Sequence, residues 1–185
     1  RKIKNLAAVV APLYDIISLE EQDRCYRMHP YNVIRLILGK DAPYDNSTNN
    51  RYTRATSYFE TWQKEEILKR DQVPSIYLYE QEYKMRTPEK KRQKGFIALL
   101  KLEEFGTGKV LPHEETLAEP KMDRLNLLRA CQANFCQIFG LYSDPEHLIN
   151  RLLGNQMKNS PLIEIKNGKA VTHQMWRVSD KEVIA

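Results

Sequence analysis

The dipeptide Asn167-Gly168 stands between two apolar runs of strand length, Pro161 to Ile165 and Ala170 to Val178. A two-residue hairpin turn needs positive φ at its centre, which Asn and Gly adopt at least cost, so this stretch predicts an antiparallel hairpin. Val73 to Tyr83 alternates in the same way, with Ile76, Leu78 and Glu80 opposed to Tyr77, Tyr79 and Gln81, and Gly95 to Phe105 supplies its partner strand. Hairpins set among helices, without regular alternation of strand and helix, predict an α+β fold. Its sheet should be mixed or antiparallel, with helices packed on it, rather than doubly wound and parallel.

The helical segments follow from caps and periodicity. Ser18-Leu19-Glu20-Glu21 is a capping box opening a short helix to about Met28, which His29-Pro30 ends. Tyr52, Ala55, Tyr58, Phe59 and Trp62 recur at helical spacing, predicting a helix to about Lys69 after the polar loop Asp41 to Asn50. Pro120 to Gln132 reads as a helix, and Ser143-Asp144-Pro145-Glu146 as the start of another. Asn32 to Leu38, apolar and rich in branched residues, reads as a strand, as does Asn134 to Tyr142. Ala11-Pro12-Leu13-Tyr14-Asp15 should be extended and turn-like.

With 185 residues, the chain suits one domain over 1–185 or the N-terminal portion of a longer protein. The second expectation comes from its ends: it begins at Arg1 without a methionine, and a capping box at Ser179 to Glu182 starts a helix just before Ala185. No run approaches the roughly 18 apolar residues of a membrane span. Cys25, Cys131 and Cys136 lack Cys-x-x-Cys spacing, so reduced thiols in a cytoplasmic protein are expected, without structural zinc. The net charge of +5 is concentrated in Lys84, Arg86, Lys90, Lys91, Arg92 and Lys94. No aromatics interleave with them, so a solvated hairpin tip is the better reading and a nucleic-acid patch the weaker one.

Leu111-Pro112-His113-Glu114-Glu115-Thr116 carries the densest chemistry, an imidazole, two carboxylates and a hydroxyl in four consecutive positions. A Gly-Thr-Gly turn at Gly106 to Gly108 precedes it and a helix follows, so the loop is fixed at both ends. His113 and Glu114 fit acid–base work at a ligand site; alternatively, Glu114 to Thr116 only cap the next helix. No second histidine follows at helical spacing, so no metal site is expected. Arg124 projects into the apolar stripe of its helix beside Leu127, Leu128 and Cys131, and Arg35 lies between Val33 and Ile37 in an apolar run. Each needs an anion: a ligand's phosphate or carboxylate, or a core-edge glutamate in a structural pair, which leave the same sequence signature.

Five separated motifs carry a resemblance: Ala11 to Asp15; His29-Pro30-Tyr31-Asn32-Val33-Ile34-Arg35; Leu111 to Thr116; Asp123-Arg124-Leu125 with Leu127-Leu128-Arg129-Ala130; and Ala133-Asn134-Phe135 with Ile138-Phe139-Gly140-Leu141-Tyr142. Together they resemble the bacterial and archaeal family called domain of unknown function 1015, over essentially the whole chain. Leu13 departs from the second proline usual there. The resemblance implies members about twice this length, with an Asp-Gly-His-His-Arg segment beyond Ala185. That segment is similar to the phosphate-handling motif of the ParB/sulfiredoxin-like fold, which includes kinases acting on free serine.

What the resemblance implies is phosphoryl transfer from ATP or ADP, with magnesium, to a hydroxyl of a small molecule such as free L-serine. Arg35 and Arg124 would hold phosphate or a substrate carboxylate, Glu114 or Asp15 would take the hydroxyl proton, and His113 would orient a neighbour. Thr116, Asn32 and Asn134 would position polar groups. No Gly-x-x-x-x-Gly-Lys phosphate loop occurs. The competing expectation is a non-enzymatic ligand- or nucleic-acid-binding module of ParB-like fold, and a third is a domain whose charged motifs only stabilise it. On the first, the loop at His113 faces a cleft completed by the downstream segment, and residues 1–185 alone are catalytically silent.

Overall fold

The computed structural model describes residues 2–85, 89–104, 106–112, 117–167 and 171–184. In chain order its regular elements are α1 (Leu19–Met28), α2 (Ile34–Ile37), α3 (Arg51–Lys64), β1 (Ile76–Lys84), β2 (Lys90–Ile97), α4 (Ala118–Cys131), α5 (Leu148–Gln156), β3 (Ile163–Asn167), β4 (Val171–Val178) and α6 (Lys181–Ile184). Two 3-10 turns, Leu6–Ala8 and Tyr14–Ile16, precede them. The expected α+β class is what is found. Its elements form two compact units, one of Arg1–Lys69 with Leu102–Gln137 and the other of Arg70–Lys101 with Ile138–Ala185.

The first unit is helical. α1 starts where expected, with the Ser18 hydroxyl accepting from the Glu21 amide at 3.2 Å. The Glu21 carboxylate pairs with Arg24. α3 has a complete capping box, Asn50 accepting from the Tyr52 and Thr53 amides while the Thr53 hydroxyl accepts from the Asn50 amide. It stops at Lys64, short of Lys69, because Glu66 turns left-handed at φ 55°. α4 packs on α3, α3 on α2 and α2 on α1. Between them lie Cys25, Ile34, Leu36, Ile37 and Trp62, with Leu127 and Cys131 in an adjoining cluster around Ala55. Burying each large aliphatic side chain contributes about 1.5–3 kcal/mol.

Two expected strands in this part of the sequence are absent. Residues 32–38 form the helical turn α2. The Asn32 side-chain oxygen accepts from the Ile34 amide at 3.0 Å, starting a coil, and Ile34, Leu36 and Ile37 are all buried. A short run buried on all sides has no face to reveal its period, so strand and helix look alike in sequence. Residues 134–142 have no strand either. Phe135 packs edge-on against Phe59 with centroids 5.0 Å apart, while Ile138, Phe139 and Leu141 are exposed; the boundary between the units falls between Gln137 and Ile138. The apolar pattern there forms no strand face, since only its first part is packed and Ile138, Phe139 and Leu141 stay in solvent.

The second unit is built on a four-stranded antiparallel sheet, in the order β2-β1-β4-β3. Leu78, Trp176 and Val178 are buried on one face with Leu153 of α5. α5 begins at Leu148 rather than Ser143, because Asp144 reaches across a turn to accept from the Ile149 and Asn150 amides at 3.3 and 3.0 Å. Of the basic residues expected at a hairpin tip, Lys84 ends β1 and Arg86 lies outside the described residues, while Lys90, Lys91, Arg92 and Lys94 lie within β2, which begins at Lys90 rather than Gly95 and ends at Ile97. They face acids on β1: Lys90 and Arg92 reach Glu82 at 2.6 and 3.0 Å, and Lys94 reaches Glu80 at 3.5 Å. These cross-strand pairs explain why a charged run can be a strand.

Candidate functional site

Arg124 joins the Tyr14 turn, the end of α2 and the segment after α4 in the first unit. α4 carries it toward α2, where one terminal nitrogen donates to the Ile37 carbonyl at 2.7 Å and the other approaches Cys136 Sγ at 3.4 Å. Its Nε donates to Asp123 at 2.9 Å, completing a two-pronged ion pair between sequence neighbours. The face of the guanidinium lies 3.8 Å from the Tyr14 ring centroid, which ties the Tyr14–Ile16 turn to α4.

Asp123 is the hub. Besides Arg124, it accepts from Arg51 at 2.6 Å and from the Tyr52 hydroxyl at 2.8 Å, both on the first turn of α3. Burial pushes its pKa upward, but the hydrogen bonds from Arg124 and Tyr52 and the two guanidinium charges outweigh that and hold the carboxyl below its ordinary value. The side chains of Asp123, Arg124 and Arg51 are 15, 21 and 28% exposed, so the network is shielded from solvent. The cavity left among these groups, Leu36 and Leu127 is about 10 Å³, and a single water needs roughly 10–15 Å³. This knot fixes geometry; it has no room for a substrate.

The other sequence candidates fall in different surroundings. Arg35, on α2 rather than on a strand, donates to the Tyr26 and His29 carbonyls at 2.9 Å each and lies over the Tyr26 ring. A cation at the C-terminal end of α1 is favoured by unpaired carbonyls and the helix dipole. Asn32 is fully buried and donates to the Ala8 and Val10 carbonyls at 2.8 and 2.9 Å. Asp15, on the turn held by Tyr14, and Asn134 are exposed. His113, Glu114 and Thr116 lie outside the described residues, four positions or fewer before Leu117, which flanks α4. Tyr14 thus ties the turn that carries Asp15 to α4, while Arg35 and Asn32 hold other joints of the same unit.

Sequence reasoning named Arg124 but not its partners. The pair is with adjacent Asp123 rather than a core-edge glutamate, and nothing in the spacing of Arg51 and Tyr52 links them to Asp123. In the second unit, His173 and Tyr79 share a 2.7 Å hydrogen bond across the sheet. Burial lowers the His173 pKa and raises that of Tyr79. Among the described residues no group of three potential metal ligands occurs and no helix is long and apolar enough to cross a membrane.

Comparison with known proteins agrees with the motif resemblance. The family model described as Protein of unknown function (DUF1015) matches residues 1–185, and the chain belongs to that family. Neither the curated proteins nor the solved structures provide a match.

Proposed function

We propose that this member of the Protein of unknown function (DUF1015) family takes part in nucleotide-dependent phosphoryl transfer to a hydroxyl of a small molecule, free L-serine being the leading acceptor. The observation that carries this reading is Asp15. Its exposed carboxylate sits on a turn that the Tyr14 ring clamps to Arg124, on the helix that the His113 to Thr116 segment leads into. Phosphoryl transfer asks mainly for positioning and charge neutralisation, and a solvent-facing carboxylate on a fixed turn meets the first need.

In this reading the acceptor hydroxyl gives its proton to Asp15 or Glu114 as its oxygen bonds to phosphorus, and the bond to the nucleotide's leaving oxygen breaks. His113 orients that carboxylate, and Thr116 and Asn134 contact substrate. Arg124 and Arg35 act as positioning residues, because Asp123 and backbone carbonyls take their donors. ATP or ADP is the donor. Magnesium, carried chiefly by the nucleotide phosphates with one carboxylate of the site, would neutralise their charge. The cytoplasm is the proposed compartment, supported by three free cysteines.

A nucleic-acid-binding module is favoured less, since the cations of β2 are matched by Glu80 and Glu82. The test is a phosphate-transfer screen of the full-length natural protein against hydroxy amino acids and sugars, with ATP and ADP as donors. Transfer to one acceptor supports the proposal. No transfer to any, with no nucleotide-induced rise in melting temperature, contradicts it.

A further inference from the structure

The first turn of α3 and the second half of α4 border a surface cleft of about 450 Å³, distinct from the packed knot at Asp123. Ser47, Asn50, Tyr52, Thr53, Asn126 and Arg129 line it, and none of its walls is acidic. It is a broad, open depression rather than an enclosed pocket, so a molecule held there stays largely in contact with solvent. Two carboxylates carried by the bordering segments are already committed. Asp45 holds Arg54 in a bidentate pair at 2.6 and 2.8 Å, and Asp123 holds Arg51 and Arg124.

Arg129 is exposed and forms no ion pair among the described residues. The Asn126 amide and Ser47 hydroxyl make no hydrogen bond there either, whereas Asn50 and Thr53 are engaged in capping α3. The cleft therefore combines one uncompensated guanidinium, two free neutral polar side chains and the positive end of a 14-residue helix. A planar guanidinium spans two oxygens of one anion, and an open depression leaves room for more than an inorganic ion.

We propose that this cleft binds a small phosphorylated metabolite. Arg129 forms the charge-assisted contact to phosphate oxygens, and Asn126 and Ser47 meet the remaining polar groups. Arg129 and Ala130 belong to one of the family-like motifs, yet the phosphoryl-transfer reading assigns them no role. The cleft does not depend on that reading.

The test is calorimetric titration of the full-length protein with O-phospho-L-serine, L-serine and acetate, repeated on Arg129→Gln and Asn126→Ala. Saturable binding of phosphoserine, weakened about tenfold or more by Arg129→Gln at unchanged melting temperature and by less in Asn126→Ala, is the expected result. Acetate and L-serine should bind more weakly. Absence of saturable binding, equal affinity in Arg129→Gln, or acetate as tight as phosphoserine would overturn the assignment. Arginine-dependent phosphoserine binding by a protein without transferase activity supports the cleft and counts only against the kinase reading.

Discussion

The Arg124 guanidinium stacks on the ring of Tyr14, 3.8 Å from its centroid, and so joins a turn near the start of the chain to the helix carrying the Asp123 network. A cation over an aromatic face contributes about 2 kcal/mol when it is shielded from water. Tyr14→Leu should therefore lower the melting temperature by several degrees, whereas Tyr14→Phe, which keeps the ring, should melt close to wild type. Differential scanning calorimetry distinguishes them, and equal melting of all three proteins would deny the stack any energetic role.

Asp123→Asn removes the carboxylate shared by Arg51 and Arg124. Breaking a buried pair by deleting one partner costs roughly 3–5 kcal/mol, and the residual exposure of this network puts the expected loss near the lower figure. The pH dependence has a definite sign. The folded carboxyl titrates below its ordinary value of 3.8, so its stabilisation is present above that value and is lost as pH falls through the lower, folded pKa. Urea melts between neutral and acid pH should show a steeper acid loss for wild type than for Asp123→Asn.

Asn32, a candidate contact to ligand by chemical type, should behave as a structural residue. Asn32→Leu leaves the Ala8 and Val10 carbonyls and the Ile34 amide without their partner, at about 1–3 kcal/mol for each buried group not rescued by water. Strong destabilisation of the first unit is expected. A variant that melts like wild type but loses ligand binding would return Asn32 to the site.

His173 should titrate below 6.5, because burial disfavours its charged form. A histidine with a depressed folded pKa stabilises fully above its unfolded pKa, and that contribution declines as pH falls through 6.5 toward the folded value. Imidazole proton shifts followed by NMR give the pKa directly, and His173→Gln should flatten the stability profile over that interval.

Much of this architecture is legible in sequence because local signals agree with it. Ser18 and Asn50 open α1 and α3, and the alternation of β1 and the Asn167-Gly168 signal lead to paired strands. The failures share a physical cause. Residues 32–38 and 134–142 are apolar without a readable period, and their conformation depends on what they pack against. The site shows the same division. Arg124 is visible as a charge inside an apolar stripe, but its contacts to Tyr14, Ile37 and Cys136 are set by tertiary packing, which spacing does not encode. Asp15 is recognisable by type, while the anchoring of its turn to Arg124 through Tyr14 is a long-range fact.

The most direct test of the phosphoryl-transfer reading is the initial rate of transfer from ATP or ADP to acceptor by the full-length protein and its Asp15→Asn and Glu114→Gln variants, with folding verified by melting temperature. A general base contributes about 10²- to 10⁴-fold, so at least one variant should fall by about 100-fold or more at unchanged stability. Transfer by both variants at the wild-type rate, or no transfer by the wild-type protein, would contradict the account.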